Sequence, residues 1–358
     1  MQRISYIDII KGLLMFSVIY SHCNLSMHLL CDTENTINCF IFEPFNMPLF
    51  MAISGYFFYY SAKKRDIADL LKSKLLSILI PCVAWAVLRD LVTSIIFTAP
   101  HAPTWRCLYP FDNLWFLWSV CLCFCLCIIP DRLHRRNRHM GHGAAAAICI
   151  VLYLLPSRTY NIAYMFPFFY AGYITCMYDL NKRIKPWHII GCCVLTVIFW
   201  ICFKHGHFSG FSVWHSGTYL WGPMGVKRHL LLNVFRLTIG VTGSIGFAGM
   251  MWYAYKWFKG RSLSSHSIVL AVKETIMQMG VYSLSLYAVQ SIIVETFFCH
   301  LMRSMQYRGY LDGLIPCHAL TYKYVYVLGA AIVTSITCLI AIRLIARVKP
   351  FKKILLGK

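Results

Sequence analysis

Apolar runs of about twenty residues recur along this chain, and they restrict it to one kind of fold. A helix needs about 20 mostly apolar residues to cross the ~30 Å hydrocarbon core of a bilayer. Stretches of that kind lie at roughly 9–29, 44–61, 75–98, 112–130, 143–157, 161–178, 188–204, 231–255, 277–299 and 323–346. The expected fold is therefore all-α: a polytopic membrane helix bundle of about ten transmembrane helices, with residues 1–358 forming a single integral-membrane domain. Composition agrees. The chain is 59% hydrophobic and 13% charged, whereas soluble domains average about 25% charged residues.

The net charge of +21 would suggest a nucleic-acid partner in a soluble protein. In a membrane bundle it reads as basic loops held on the cytoplasmic side. Placing the N-terminus in the cytoplasm puts most of the 34 Lys and Arg residues on that side, including Lys63, Lys64, Arg65, Lys72, Lys74, Arg132, Arg135, Arg136 and the basic C-terminal end. Both termini are then cytoplasmic, the bilayer is the partner, and no nucleic acid is expected. Lys11 interrupts the first apolar run and no A-x-A site follows, so this run reads as an uncleaved span. No internal repeat is visible.

The first stretch, D-I-I-K-G-L-L-M-F-S-V-I-Y-S-H-C-N-L-S-M-H from Asp8 to His28, carries the chemistry. Charge inside a spanning helix is costly and normally faces a bundle interior or a wet cavity. Lys11 and His22 are eleven residues apart, close to three turns, so both lie on one stripe about 16 Å apart along the axis. Asp8 sits on the same side. This stripe is read as one wall of an active site.

Elsewhere, Pro44, Pro48 and Ser54-Gly55 mark a second span that bends or packs closely. Lys72 and Lys74 open the third span, either as anchors or as a site for an anionic cytosolic ligand. Asn113 and Trp115 open the fourth. Gly240, Gly243, Gly246 and Gly249 form a small-residue track suited to close packing. Arg236 lies near the outer end of the eighth span and Glu295 in the outer part of the ninth, where Arg236 is one conceivable partner. Cys121, Cys123, Cys125 and Cys127 scatter around their helix as apolar fillers. Cys31, Cys39, Cys107 and Cys317 fall in expected outer loops. His134, His139 and His142 fall in a basic inner loop without a ligand spacing, so no metal site is expected. The outer-loop aromatics, such as Trp105 and Trp214, suit an interfacial belt or sugar stacking.

Several phrases together resemble the acyltransferase 3 family of integral-membrane O-acyltransferases. They are D-x-x-K-G with His22 eleven residues after Lys11, F-N-M-P-L-F-x-x-I-S-G-Y from Phe45 to Tyr56, K-x-K at Lys72 and Lys74 ahead of Ile80-Pro81, L-W-F-L from Leu114, and F-P-F-F-x-x-G-Y from Phe166 to Tyr173. The family usually has arginine where Lys72 and Lys74 stand, and often histidine where Asn46 and Gln290 stand. The resemblance implies transfer of an acyl group, commonly acetyl from acetyl-CoA as co-substrate with no bound cofactor, to a hydroxyl of a glycan or glycolipid. It implies a bacterial inner (plasma) membrane location. On it, His22 is the base, with Asp8 and Lys11 as further catalytic residues. Lys11, Lys72 and Lys74 meet the CoA phosphates, and Trp115, Asn113, Arg236 and Glu295 contact the acceptor. Ser54, Trp115 and Asn113 are unranked candidates for an oxyanion donor. The alternative is a secondary transporter or flippase in which Asp8, Lys11, His22 and Glu295 form an ion path.

Overall fold

A computed structural model describes residues 5–28, 37–97, 114–154, 161–205, 226–259, 267–298 and 325–357. The described residues form helices: α1 Ser5–His28, α2 Ile37–Lys64, α3 Ile67–Lys74, a π-helical turn Leu75–Leu79, α4 Ile80–Phe97, α5 Trp115–Arg136, α6 Arg138–Leu154, α7 Ile162–Met177, α8 Pro186–His205, α9 Val226–Lys259, α10 Ser267–Val281, α11 Ser283–Gln290, a π-helical segment Ser291–Phe298, α12 Val327–Arg347 and α13 Lys349–Leu356. Helix α2 starts inside the expected outer loop and takes Cys39 into its first turn. Residues 31, 107 and 317 lie outside the described residues, as do Trp105 and Trp214.

Five stretches are long and apolar enough to cross a membrane: Ser5–Ser26, Ile67–Thr93, Trp115–Arg136, His229–Phe258 and Val327–Arg347. The pair Val269–Val281 and Ser283–Phe298 adds a sixth if its two halves, bent by 83°, form one span. The straight ninth span expected over 277–299 is thus broken at Tyr282. No proline or charge marks the break, so hydropathy alone reads through it. The count of ten and the cytoplasmic termini remain readings of the sequence.

What the helices expose supports a lipid solvent. Along α12, Val327, Ala331, Ser335, Cys338 and Ile342 are buried, while Leu328, Ile332, Val333, Ile336, Ile340 and Leu344 are exposed. Along α8, Ile190, Val194, Val197, Ile198 and Ile201 face outwards. Contiguous apolar surface of this extent does not suit water.

The chain forms two compact units. The first comprises residues 1–42, 80–114 and 255–358; the second comprises 43–79 and 115–254. In the first, α1 is the central element, buried at Ile10, Leu14, Val18, Ile19 and Cys23, and it packs against α10, α11, the Ser291–Phe298 segment and α12. Close backbone approach fixes α1 on α10: a Cβ on Gly280 would stand 1.8 Å from the Asp8 carbonyl oxygen, and one on Gly12 2.0 Å from that of Ile276. Trp85 Nε1 donates to the Leu355 carbonyl at 2.8 Å, tying α4 to α13.

In the second unit, α2 and α7 meet in the same manner. A Cβ on Gly55 would lie 1.8 Å from the Phe169 oxygen, and one on Gly172 1.8 Å from the Ala52 oxygen. The F-N-M-P and F-P-F-F phrases thus meet at a glycine-lined crossing, sealed by Phe58 against Phe124, Phe169 and Tyr173. The glycine track on α9 receives Phe168, Phe45, Cys193 and Ile189 in turn. Cys123 and Cys127 are buried while Cys125 is exposed, so these cysteines do scatter around α5.

Candidate active site

The charged groups of the first unit converge on Glu295. His22 Nδ1 lies 3.0 Å from Glu295 Oε1, and Arg89 Nη2 lies 3.2 Å from Glu295 Oε2. Arg89 Nε also donates to Thr296 Oγ1 at 3.3 Å. Three elements supply the cluster: α1 gives His22, α4 gives Arg89, and the π-helical segment gives Glu295 and Thr296. Cys23, next to His22, lies with its Sγ 3.7 Å from Thr334 Oγ1 of α12, which holds this end of α1 in place.

This geometry determines what His22 can do. An ionised carboxylate only accepts hydrogen bonds, so the proton of the His22–Glu295 contact sits on Nδ1. The neutral ring then keeps its lone pair on Nε2. Its side chain is 26% exposed, against 22% for Glu295 and 15% for Arg89. His22 and Glu295 are thus both partly exposed, and Arg89 is the most enclosed of the three. A base fixed in one tautomer by a carboxylate is the arrangement of a general acid–base catalyst. Arg89 compensates the second carboxylate oxygen, which keeps Glu295 in place whether or not His22 is charged.

Asp8 and Lys11 pair with each other at 3.5 Å. Along α1, Lys11 stands about three turns from His22, roughly 16 Å, and Asp8 about four turns, roughly 21 Å. The structure therefore brings His22 and Glu295 together and leaves Asp8 and Lys11 as a separate pair at the other end of the same stripe. Gln290, at the end of α11, is fully buried, and its amide nitrogen and oxygen have no hydrogen-bond partner among the described residues.

Of the remaining expected site residues, Lys72, Lys74, Trp115 and Arg236 lie in the second unit. Lys72 is exposed. Lys74 lies 4.6 Å over the Phe124 ring. Trp115 is buried in the first turn of α5. Asn113 lies outside the described residues. Arg236 is buried 4.5 Å over the ring of Tyr164. The sequence offered Arg236 as a partner for Glu295, but that carboxylate is held by Arg89 and His22. Ser54 Oγ donates to the Phe50 carbonyl of its own helix at 2.9 Å. Asn46 is 3% exposed.

The histidines expected in an inner loop are helical. His134 Nε2 meets the Tyr170 hydroxyl at 2.8 Å, that hydroxyl meets His142 Nδ1 at 2.9 Å, and His142 Nε2 meets Tyr178 at 2.9 Å. Tyr173 donates to Asp131, which pairs with Arg135. Sequence reasoning missed this array because its periodicity spans α5, α6 and α7. It also missed Arg89 as a site residue. The available signal was Arg89's charge within an apolar span, a functional hint in itself.

A stretch of 177 residues is 28% identical to the nodulation protein NolL of Sinorhizobium fredii (strain NBRC 101917 / NGR234) and covers 47% of each chain. The chain thus matches about half the length of this curated relative. No solved structure matches. The model of an acyltransferase domain matches residues 4–346, nearly the whole chain and both ends of the His22–Glu295–Arg89 cluster, and the protein belongs to this acyltransferase 3 family.

Proposed function

We propose that the protein is a membrane O-acyltransferase that moves an acetyl group from acetyl-CoA to a hydroxyl of a cell-surface glycan or glycolipid. The single observation that carries this reading is the 3.0 Å contact between His22 Nδ1 and Glu295, which leaves Nε2 as a base. In the reaction, Nε2 takes the proton from the acceptor hydroxyl as its oxygen attacks the thioester carbonyl. The C–S bond then breaks and the new C–O ester bond remains. The proton passes from the imidazolium to the departing sulfur, releasing CoA as the thiol. Glu295 stabilises the transient imidazolium, and Arg89 holds Glu295.

CoA carries several phosphates, and cations suit them. Lys11, at the opposite end of α1 from His22, and Lys72 and Lys74, at the start of the third expected span, are assigned to those phosphates. Lysine gives a point charge rather than a bidentate fork, so this contact is tuned by charge more than by geometry. The match to a bacterial relative supports a bacterial plasma membrane as the location.

The test uses the full chain in nanodiscs with radiolabelled acetyl-CoA and an extract of host glycans and lipids. Wild type should transfer label and release CoA. His22→Ala should do neither while still binding donor. Donor that is neither bound nor consumed by wild type would overturn the transferase and leave the ion-path transporter to be tested by uptake.

A further inference from the structure

Arg236 is more deeply buried than Arg89, and its surroundings differ from those of Arg89. His229, Asn233 and Arg236 are spaced four and three apart on α9, so they share one helix face. They are 1%, 3% and 2% exposed. All three lie within the stretch His229–Phe258 that is long and apolar enough to span. The guanidinium sits 4.5 Å over the Tyr164 ring of α7, whose hydroxyl donates to the Arg236 carbonyl at 3.2 Å. Tyr153 of α6 is within electrostatic range of both.

The hydrogen-bonding capacity here is unspent. Arg236 Nη1, both polar atoms of the Asn233 amide and the Tyr153 hydroxyl are buried without hydrogen-bond partners among the described residues. Among the described residues Arg236 has no carboxylate partner; what its guanidinium meets is the face of the Tyr164 ring. A ring face offsets only part of the cost of taking a guanidinium out of water. Buried intramembrane charges otherwise pair with each other or face a ligand path. What this face lacks is therefore an anion. The donors are a planar guanidinium fork, an amide N–H₂ and a phenol O–H, which match the oxygens of a phosphate or carboxylate. The Asn233 carbonyl adds one acceptor for a neighbouring hydroxyl. A neutral polyol could use the amide and phenol but would leave the charge uncompensated.

We propose that this face of α9, with Tyr153 and Tyr164, is a binding site for an oxyanion, a phosphate or carboxylate group carried by a lipid headgroup or a soluble molecule. The proposal does not depend on acyl transfer, because anion binding is measured without any acyl donor.

The full chain in neutral detergent is melted with inorganic phosphate against chloride at matched ionic strength. In parallel it is melted in nanodiscs of phosphatidylglycerol against phosphatidylcholine, with native mass spectrometry reading retained lipid. Wild type should be stabilised by phosphate, by phosphatidylglycerol or by both; the first points to a soluble anion and the second to a headgroup. Arg236→Gln should weaken that response at least tenfold in apparent affinity. Asn233→Leu, which keeps the charge and serves if Arg236→Gln does not fold, should weaken it several-fold. His22→Ala should keep it in full. No response of wild type to either source would overturn the site. So would a response that both α9 variants retain, which would place the anion on the basic surface instead.

Discussion

Two arginines of the described residues, one half-enclosed and one buried, are treated in opposite ways. Arg89 is held on Glu295 at 3.2 Å, and the same carboxylate holds His22 at 3.0 Å. Arg236 has an aromatic ring at 4.5 Å and, among the described residues, no carboxylate, while each arginine leaves its Nη1 without a described hydrogen-bond partner. In the first unit the chain supplies its own counter-charge, and that carboxylate also fixes the imidazole through Nδ1. In the second unit no described residue supplies Arg236 with a carboxylate. Preorganisation belongs to the first cluster and recognition to the second.

Removing the base tests the first half of this contrast most severely. General acid–base catalysis contributes about 10²- to 10⁴-fold, so His22→Ala should lower kcat for acyl transfer by roughly 10³-fold while donor binding is kept. A variant that retains most of the rate would show that Nε2 is not the base. Glu295→Gln should follow with a loss of about 10²-fold in kcat, since an amide still accepts from Nδ1 but no longer stabilises an imidazolium.

Charge removal separates the two arginines by stability. Breaking a buried pair by deleting one partner costs about 3–5 kcal/mol. Arg89 and Glu295 retain 15% and 22% exposure, so Arg89→Gln should lie near the low end, about 3 kcal/mol. Arg236→Gln strands no carboxylate, and in anion-free detergent it should cost little or even stabilise. Denaturant unfolding of the two variants side by side measures this, and equal losses would erase the distinction. The double variant Arg89→Met/Glu295→Gln should recover most of the stability and none of the activity.

Much of the first cluster was legible in the sequence, and its pairing was not. The stripe of Asp8, Lys11 and His22 follows from helical periodicity alone, and the structure keeps it on one continuous helix. Glu295 announced itself as a carboxylate in an apolar run. Its partners could not be read, because contacts from residue 295 to residues 22 and 89 obey no local spacing. Arg236 looked equally suitable on depth and charge. The 83° break at Tyr282 and the π-helical turn that presents Glu295 leave no hydropathy signal. The glycine of F-P-F-F-x-x-G-Y and that of I-S-G-Y were readable as close-packing residues, but only the structure shows them facing each other's helices.

Glycine substitutions probe how rigidly each cluster is held, with smaller effects. In Gly280→Ala the new Cβ would stand 1.8 Å from a backbone oxygen of α1, and backbone cannot swing aside. The cost should be about 1–3 kcal/mol, with a fall in kcat as α1 shifts His22. In Gly240→Ala the nearest atom is the tip of the Phe168 ring at 2.6 Å, with the Tyr164 hydroxyl at 3.2 Å. Both can move, so the loss should stay below about 1 kcal/mol and fall on anion response rather than on acyl transfer.

The smallest expected effect concerns charge at the surface. Lys72 is exposed, and a solvated cation attracts a phosphate by no more than a screened Coulomb term. Lys72→Ala should raise the KM for acetyl-CoA about two- to fivefold at low salt and leave kcat unchanged, and the difference should shrink as ionic strength rises. Lys74 lies over Phe124 at 4.6 Å, where its stem also packs. Lys74→Ala should therefore combine a KM effect with a salt-independent loss of stability. If both variants lose kcat instead, charge at this end takes part in the chemistry, and the division between a self-contained catalytic cluster and separate recognition sites would have to be redrawn.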